Sequence, residues 1–168
     1  DKQGRPIPGD LLTAFLANSI AKDYKNIQTI ILDIKSSYVA YENIISLGFK
    51  AEIGKTGHSN IKKRIKEIKS PLAGEMSGHI FFGDTYFGYD DALYAAIRLL
   101  TLTANNFELD KFMSTLPETF VSPEIKVFCS DEIKFFTISN ISKKVFEKYN
   151  PNEVITLDGL RVKNNHGW

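Results

Sequence analysis

The sequence predicts an α/β protein: a mixed-sheet α/β domain followed by a truncated α+β domain. Three observations carry this. Short β-branched runs alternate with longer stretches of helical periodicity through the first hundred or so residues. The stretch 103–123 then changes character, with Asn105-Asn106, Pro117 and Ser122-Pro123 breaking the pattern. Beyond it, one long helix and two or three short strands give a thin core for an independent unit. The expected division is an α/β domain over 1–104, a linker over 105–122 and an incomplete α+β domain over 123–168.

Gly9-Asp10 marks a helix entry, and Leu11, Leu12, Phe15, Leu16 and Ile20 follow at helical spacing. The run from Thr29 to Ile34 is apolar and β-branched, a buried strand whose end carries Asp33 and Lys35. A helix follows from Tyr38 to Leu47, stopped by Gly48. Phe49 to Ile53 forms a second strand. Ile61, Ile65 and Ile68 then line one face of a helix whose other face is Lys62, Lys63, Arg64, Lys66 and Lys69. Two short strands flank a loop centred on Ser77, the second being Ile80-Phe81-Phe82. Asp90-Asp91 opens the longest apolar helix, through Leu93, Ala96, Ile97 and Leu100, with its carboxylates at the favourable end of the helix dipole. A short helix over about 109–114 interrupts the linker. A strand is expected near 126–129, a helix over about 131–149, and a hairpin turning at Asp158-Gly159.

Composition excludes several classes. The chain has 168 residues, 43% of them hydrophobic, so it can build a core. A formal net charge of +1 offers no global attraction to nucleic acid or to an anionic membrane. The basic face at 62–69 lacks interleaved aromatics and reads as solvated. The single cysteine, Cys129, forbids an internal disulfide and fits a reducing, cytoplasmic compartment. No apolar run is long enough to span a bilayer.

Two strings carry the chemistry: Lys55-Thr56-Gly57-His58-Ser59 and Gly74-Glu75-Met76-Ser77-Gly78-His79. Each sets hydrogen-bonding side chains among glycines, where the backbone bends tightly and approaches a ligand. Together they offer two imidazoles, an ammonium, a carboxylate and hydroxyls, the equipment for reading a polyhydroxylated, phosphorylated small molecule. Nearby motifs fail their tests. A phosphate-binding P-loop ending at Gly54-Lys55-Thr56 requires glycine at position 49, which is Phe. A nucleophile elbow at Ser77 requires glycines where Glu75 and His79 stand. A zinc site on His58 and His79 has no third ligand at a suitable spacing, so no metal ligand is assigned. Lys35 stands at the carboxyl end of the first strand, where open α/β sheets place their ligands. Asp90 is first a helix-start residue and secondarily a group able to hold a histidine in one tautomer.

In chain order, Asp33-Ile34-Lys35, the two strings above, Phe87-Gly88-Tyr89-Asp90-Asp91 and the run from Thr156 to Val162 resemble the α-D-phosphohexomutases, the phosphomannomutases and phosphoglucomutases. The resemblance implies a four-domain enzyme of which this chain is the third domain and the first part of the fourth. It implies that Glu75 and Ser77 bind sugar hydroxyls, that His79 is a candidate general base, and that His58, Lys55 and Lys35 line the site near sugar or phosphate. It implies phosphoryl transfer between C6 and C1 of a hexose, with a phosphoserine, Mg²⁺ and a hexose 1,6-bisphosphate intermediate. The phosphoserine loop, the metal loop and the fourth-domain phosphate loop of that family are all missing here, and Leu11 replaces one of its usual basic residues. The isolated chain is therefore expected to be inactive, with hexose phosphate and the missing domains of its own polypeptide as partners. The rival reading is a stand-alone sugar-phosphate binding module without catalysis.

Overall fold

A computed structural model describes every residue except 2, 106, 107, 165 and 166. The chain forms two compact units, Asp1–Pro117 and Glu118–Trp168. The expected linker at 105–122 includes residues 106 and 107, which lie outside the described residues.

The first unit is built on four strands: β1 (Thr29–Asp33), β2 (Lys50–Gly54), β3 (Leu72–Gly74) and β4 (Ile80–Phe82). They lie in the order β2-β1-β3-β4, with β1 parallel to both β2 and β3, and β4 antiparallel to β3. The middle of β1, residues 30–32, is apolar because it is buried on both faces. Its Ile30 and Leu32 join one core cluster and Ile31 joins the other. Helices α1 (Gly9–Ile20) and α2 (Tyr38–Ser46) cover the first face. Helix α3 (His58–Ile68) covers the second through Ile61 and Ile65. The chain steps outward from β1 to β2 over one face and returns to β3 over the other. That reversal creates a switch point between the carboxyl ends of β1 and β3, where open α/β sheets leave a crevice.

Helix α4 (Ala92–Ala104) packs on the first face, but not by the residues that its periodicity suggests. Tyr94, Ala95, Leu99 and Leu102 point to the core, while Leu93, Ile97 and Leu100 are exposed. Arg98 decides the rotation. Its guanidinium lies 4.4 Å above the Phe82 ring and donates to Asp84 at 3.0 Å. Helix α5 (Leu109–Thr115) also packs on this face, with Phe112 edge-on to Phe15 at 5.3 Å.

The second unit holds α6 (Lys134–Lys148), a 3₁₀ turn at Pro151–Glu153, and the antiparallel pair β5 (Val154–Ile155) and β6 (Arg161–Val162). The strand expected at 126–129 does not form: residues 121–130 carry no regular structure, and Val127 and Phe128 are exposed. β-branched and aromatic residues favour strands only where a neighbouring strand and a packed face receive them. No apolar side chain among the described residues of 118–168 is buried. Arg161 is buried there, its guanidinium 4.0 Å above the Trp168 ring.

Candidate functional site

Three loops leave the carboxyl ends of the parallel strands: 34–37 after β1, 55–57 after β2 and 75–79 after β3. The third is a tight reversal between β3 and β4, closed by Glu75 N–H donating to His79 O at 2.9 Å and Gly78 N–H donating to Glu75 O at 2.9 Å. Gly78 takes φ +97°, a conformation that side chains resist. The loop is braced from below by α1. Gly9 N–H, one of the helix's unpaired first donors, reaches Met76 O at 3.2 Å. A side chain on Gly9 would collide with the backbone of Glu75 and Gly78.

Glu75 is the most connected group of the site, and it is only 2% exposed. Its Oε1 accepts from Gly57 N–H at 2.6 Å, tying the third loop to the second. Its Oε2 accepts from Ser77 Oγ at 3.2 Å and stands 3.2 Å from His79 Nδ1. A carboxylate offers about four lone pairs. These three contacts leave one on Oε1. The carboxylate, alcohol and imidazole singled out in the sequence thus meet at one point.

His79 is half-exposed, at 55% of its side chain. Its Nδ1 faces Glu75 at 3.2 Å and Asp90 at 3.8 Å. Two carboxylates on that side place the proton on Nδ1 and leave Nε2 with a free lone pair. Glu75 makes the hydrogen bond, and Asp90 lies beyond hydrogen-bond range and contributes charge alone. Asp90 itself is fixed by a β-bridge to Phe81. Its neighbour Asp91 caps α4, accepting from Tyr94 N–H at 2.9 Å and from Tyr86 Oη at 2.7 Å. These bonds hold the Asp91 carboxyl below the usual carboxylate range, the backbone N–H first and the tyrosine second. In return, Asp91 pushes the Tyr86 hydroxyl well above its ordinary range.

Lys35, Lys55, His58 and Ser77 are exposed on these same loops. His58 is the first residue of α3, after Gly57 at φ +107°. The structure brings Glu75, Ser77, His79 and Asp90 together. It gives the side chains of Lys35, Lys55 and His58 no hydrogen bond to that group. Among the described residues no cluster of three or more His, Cys, Asp or Glu is placed to hold a metal ion.

Two buried carboxylates carried no role in the sequence reading. Asp33, fully buried, accepts from Ser36 Oγ at 2.6 Å, Met76 N–H at 3.1 Å and Thr56 Oγ1 at 3.4 Å. Asp10, also buried, accepts from Ser37 N–H at 2.6 Å and so joins α1 to the start of α2. The available signal was an acid closing an apolar strand and another in the first turn of an apolar helix.

The fold and site define an α/β/α domain with its polar loops gathered at the carboxyl ends of the parallel strands. Residues 8–120 match the family described as phosphoglucomutase/phosphomannomutase, alpha/beta/alpha domain III, and the chain belongs to that family. It is 37% identical over 140 residues to the phosphomannomutase/phosphoglucomutase of Pseudomonas aeruginosa, covering 83% of this chain and 30% of that protein. A solved phosphoglucomutase/phosphomannomutase family protein of Burkholderia thailandensis is 32% identical with a TM-score of 0.82, covering 98% of this chain and 34% of that one. N-acetylphosphoglucosamine mutase of Aspergillus fumigatus, solved with GlcNAc-6P and magnesium, shares the fold at 12% identity and a TM-score of 0.55, over 68% of this chain and 31% of that one. The chain thus spans about a third of the length of the relatives it matches.

Proposed function

We propose that this chain is the sugar-recognising part of a phosphohexomutase that interconverts hexose 6-phosphate and hexose 1-phosphate. Residues 1–104 act as its third domain, 105–122 as a linker and 123–168 as the start of its fourth, phosphate-binding domain. The observation that carries the reading is the Glu75 carboxylate shared by Ser77 Oγ and His79 Nδ1 at the switch point of the sheet.

The chemistry follows from that geometry. A sugar hydroxyl oxygen attacks the phosphorus of a phosphoryl group carried by another domain. The O–P bond forms as the donor's own O–P bond breaks. The hydroxyl proton passes to His79 Nε2, while Glu75 holds the opposite nitrogen of the ring at 3.2 Å. Ser77 and the remaining lone pair of Glu75 read neighbouring hydroxyls. Lys35 and Lys55 supply positive charge for phosphate, and His58 lines the site near sugar or phosphate. Magnesium, the phosphoserine and a bisphosphorylated sugar belong to the complete protein, and the magnesium ligands lie outside this chain. The isolated chain is inactive, and its partners are hexose phosphate and the remaining domains of its polypeptide. A cytoplasmic setting suits the single free cysteine, Cys129.

The test is mutase activity of the full-length protein on glucose 1-phosphate and mannose 1-phosphate, with and without His79→Ala. Loss of a general base predicts a fall in kcat of about 10²–10⁴-fold. Full activity in the variant, or none on either sugar in the unaltered protein, refutes the proposal.

A further inference from the structure

We propose that Asp33 is a positioning residue that holds the loop bearing Glu75, Ser77 and His79 in place before any ligand arrives. The inference rests on the reading of this loop as the sugar-recognition loop. It concerns a residue that never touches the sugar.

Asp33 is the last residue of β1, beside the switch point, and its carboxylate is fully buried. Among the described residues no cation pairs with it. Its lone pairs are met by neutral donors, one from each of the three loops at the carboxyl end of the sheet. Ser36 Oγ comes from the first loop at 2.6 Å, Thr56 Oγ1 from the second at 3.4 Å and Met76 N–H from the third at 3.1 Å. A carboxylate serving stability alone has no need to draw its donors from three separate loops. Burying one is costly unless its acceptors are satisfied, so all three donors are bound to the same point.

Met76 is the key contact because it stands between Glu75 and Ser77. Its N–H is held by Asp33 and its carbonyl by Gly9 N–H at 3.2 Å. These two bonds restrain the peptide planes on either side of Met76, and with them the backbone from which Glu75 and Ser77 project. The second loop is held in the same way at two successive residues: Thr56 by Asp33, and Gly57 by Glu75 Oε1 at 2.6 Å. Lys55 and His58 flank this doubly held dipeptide. Asp33 and Glu75 together therefore set the spacing between the cationic loop and the hydroxyl-reading loop.

Amide hydrogen exchange of the 168-residue chain, Asp33→Ala against Asp33→Asn, tests the claim. Asp33→Ala is expected to speed exchange at Met76 by about tenfold or more while Ile31 in β1 stays protected. Asp33→Asn keeps an oxygen for Met76 N–H, and the Thr56 hydroxyl can turn to accept from the new NH₂, so exchange should stay within about threefold of the unaltered chain. In the full-length protein, assayed on glucose 1-phosphate below the melting temperature of every variant, Asp33→Ala should lower kcat/KM about tenfold or more, and Asp33→Asn should restore it. Unchanged Met76 exchange in Asp33→Ala overturns the proposal. So does an Asn variant as impaired as the Ala variant. If Asp33→Ala does not fold, Thr56→Val removes a single donor and should speed exchange at Gly57 by about threefold, and no change there overturns the proposal. A full-length protein without mutase activity refutes the sugar reading, while the exchange arm still decides the role of Asp33.

Discussion

Glu75 offers a sharp separation between holding the loops together and tuning the imidazole. Replacing it with alanine strands Gly57 N–H, which it holds at 2.6 Å, and frees Ser77 Oγ at 3.2 Å. A hydrogen bond to a charged group contributes about 1.5–3 kcal/mol. Relief of the buried charge returns part of that. Ser77 is exposed and recovers water, whereas Gly57 recovers it only partly. The expected cost of Glu75→Ala is therefore about 2–3 kcal/mol, a fall in Tm of about 8–15 °C for a unit of this size. Glu75→Gln keeps an oxygen for Gly57 and should cost about 1 kcal/mol. It also turns an NH₂ toward His79 Nδ1, which then accepts rather than donates and drives the proton onto Nε2. Urea denaturation of the chain followed by circular dichroism gives the stabilities. The pH–rate profile of the full-length protein gives the imidazole effect, with Gln lowering kcat far beyond its effect on stability. If both variants unfold within about 0.5 kcal/mol of the unaltered chain, Glu75 does not tie the two loops and the reasoning fails.

Gly57→Ala puts a side chain at φ +107° and tilts away the N–H that Glu75 holds, so the urea midpoint should fall by the equivalent of about 1–3 kcal/mol. An unchanged midpoint would mean that the backbone relaxes without loss. Asp91 makes stability depend on acid. Its folded carboxyl is held below its ordinary value by Tyr94 N–H and Tyr86 Oη, so its contribution is complete above the unfolded pKa of about 3.9 and is lost as pH falls through the lowered value. Melting curves of Asp91→Asn should accordingly fall less steeply than those of the unaltered chain between about pH 4 and pH 2. Parallel curves would remove Asp91 from the acid response.

The elements of the first unit were legible because local signals agreed with tertiary demand. The Thr29–Asp33 run is apolar at its buried positions 30–32, and Gly48 closes α2 with φ +89° as its place after the helix suggested. Where only a tertiary contact decides, the sequence was silent or misleading. Helix α4 is apolar nearly all round, so periodicity could not choose a face. The choice fell to Arg98, which reaches Asp84, Phe82 and Ser19 at once and turns Leu93, Ile97 and Leu100 outward. The segment near 126–129 has strand-like residues but no strand beside it, and side-chain preference alone does not make a sheet.

The site divides along the same line. Glycines advertise loops, and polar residues among them advertise ligands, so the strings at 54–59 and 74–79 stood out without any knowledge of the fold. What places them is a set of buried carboxylates acting across the chain. Asp33 reaches Met76 over 43 residues, Glu75 reaches Gly57 over 18, and Asp10 reaches Ser37 over 27. Asp33 and Asp10 look ordinary in sequence, a strand end and a helix-start acid, and even Glu75 gave no sign there of its bond to Gly57. For Asp33 and Asp10 the importance lies in burial with neutral backbone and hydroxyl donors, which fixes distances between loops, and Glu75 adds such a tie to its contacts with Ser77 and His79. The division of labour follows from solvation. Lys35, Lys55, His58, Ser77 and His79 remain exposed, while the buried acids accept their hydrogen bonds from donors inside the protein. A site assembled this way is rigid beneath and reactive above. Substitutions at the buried acids should therefore disturb geometry first, and substitutions at the exposed residues chemistry first.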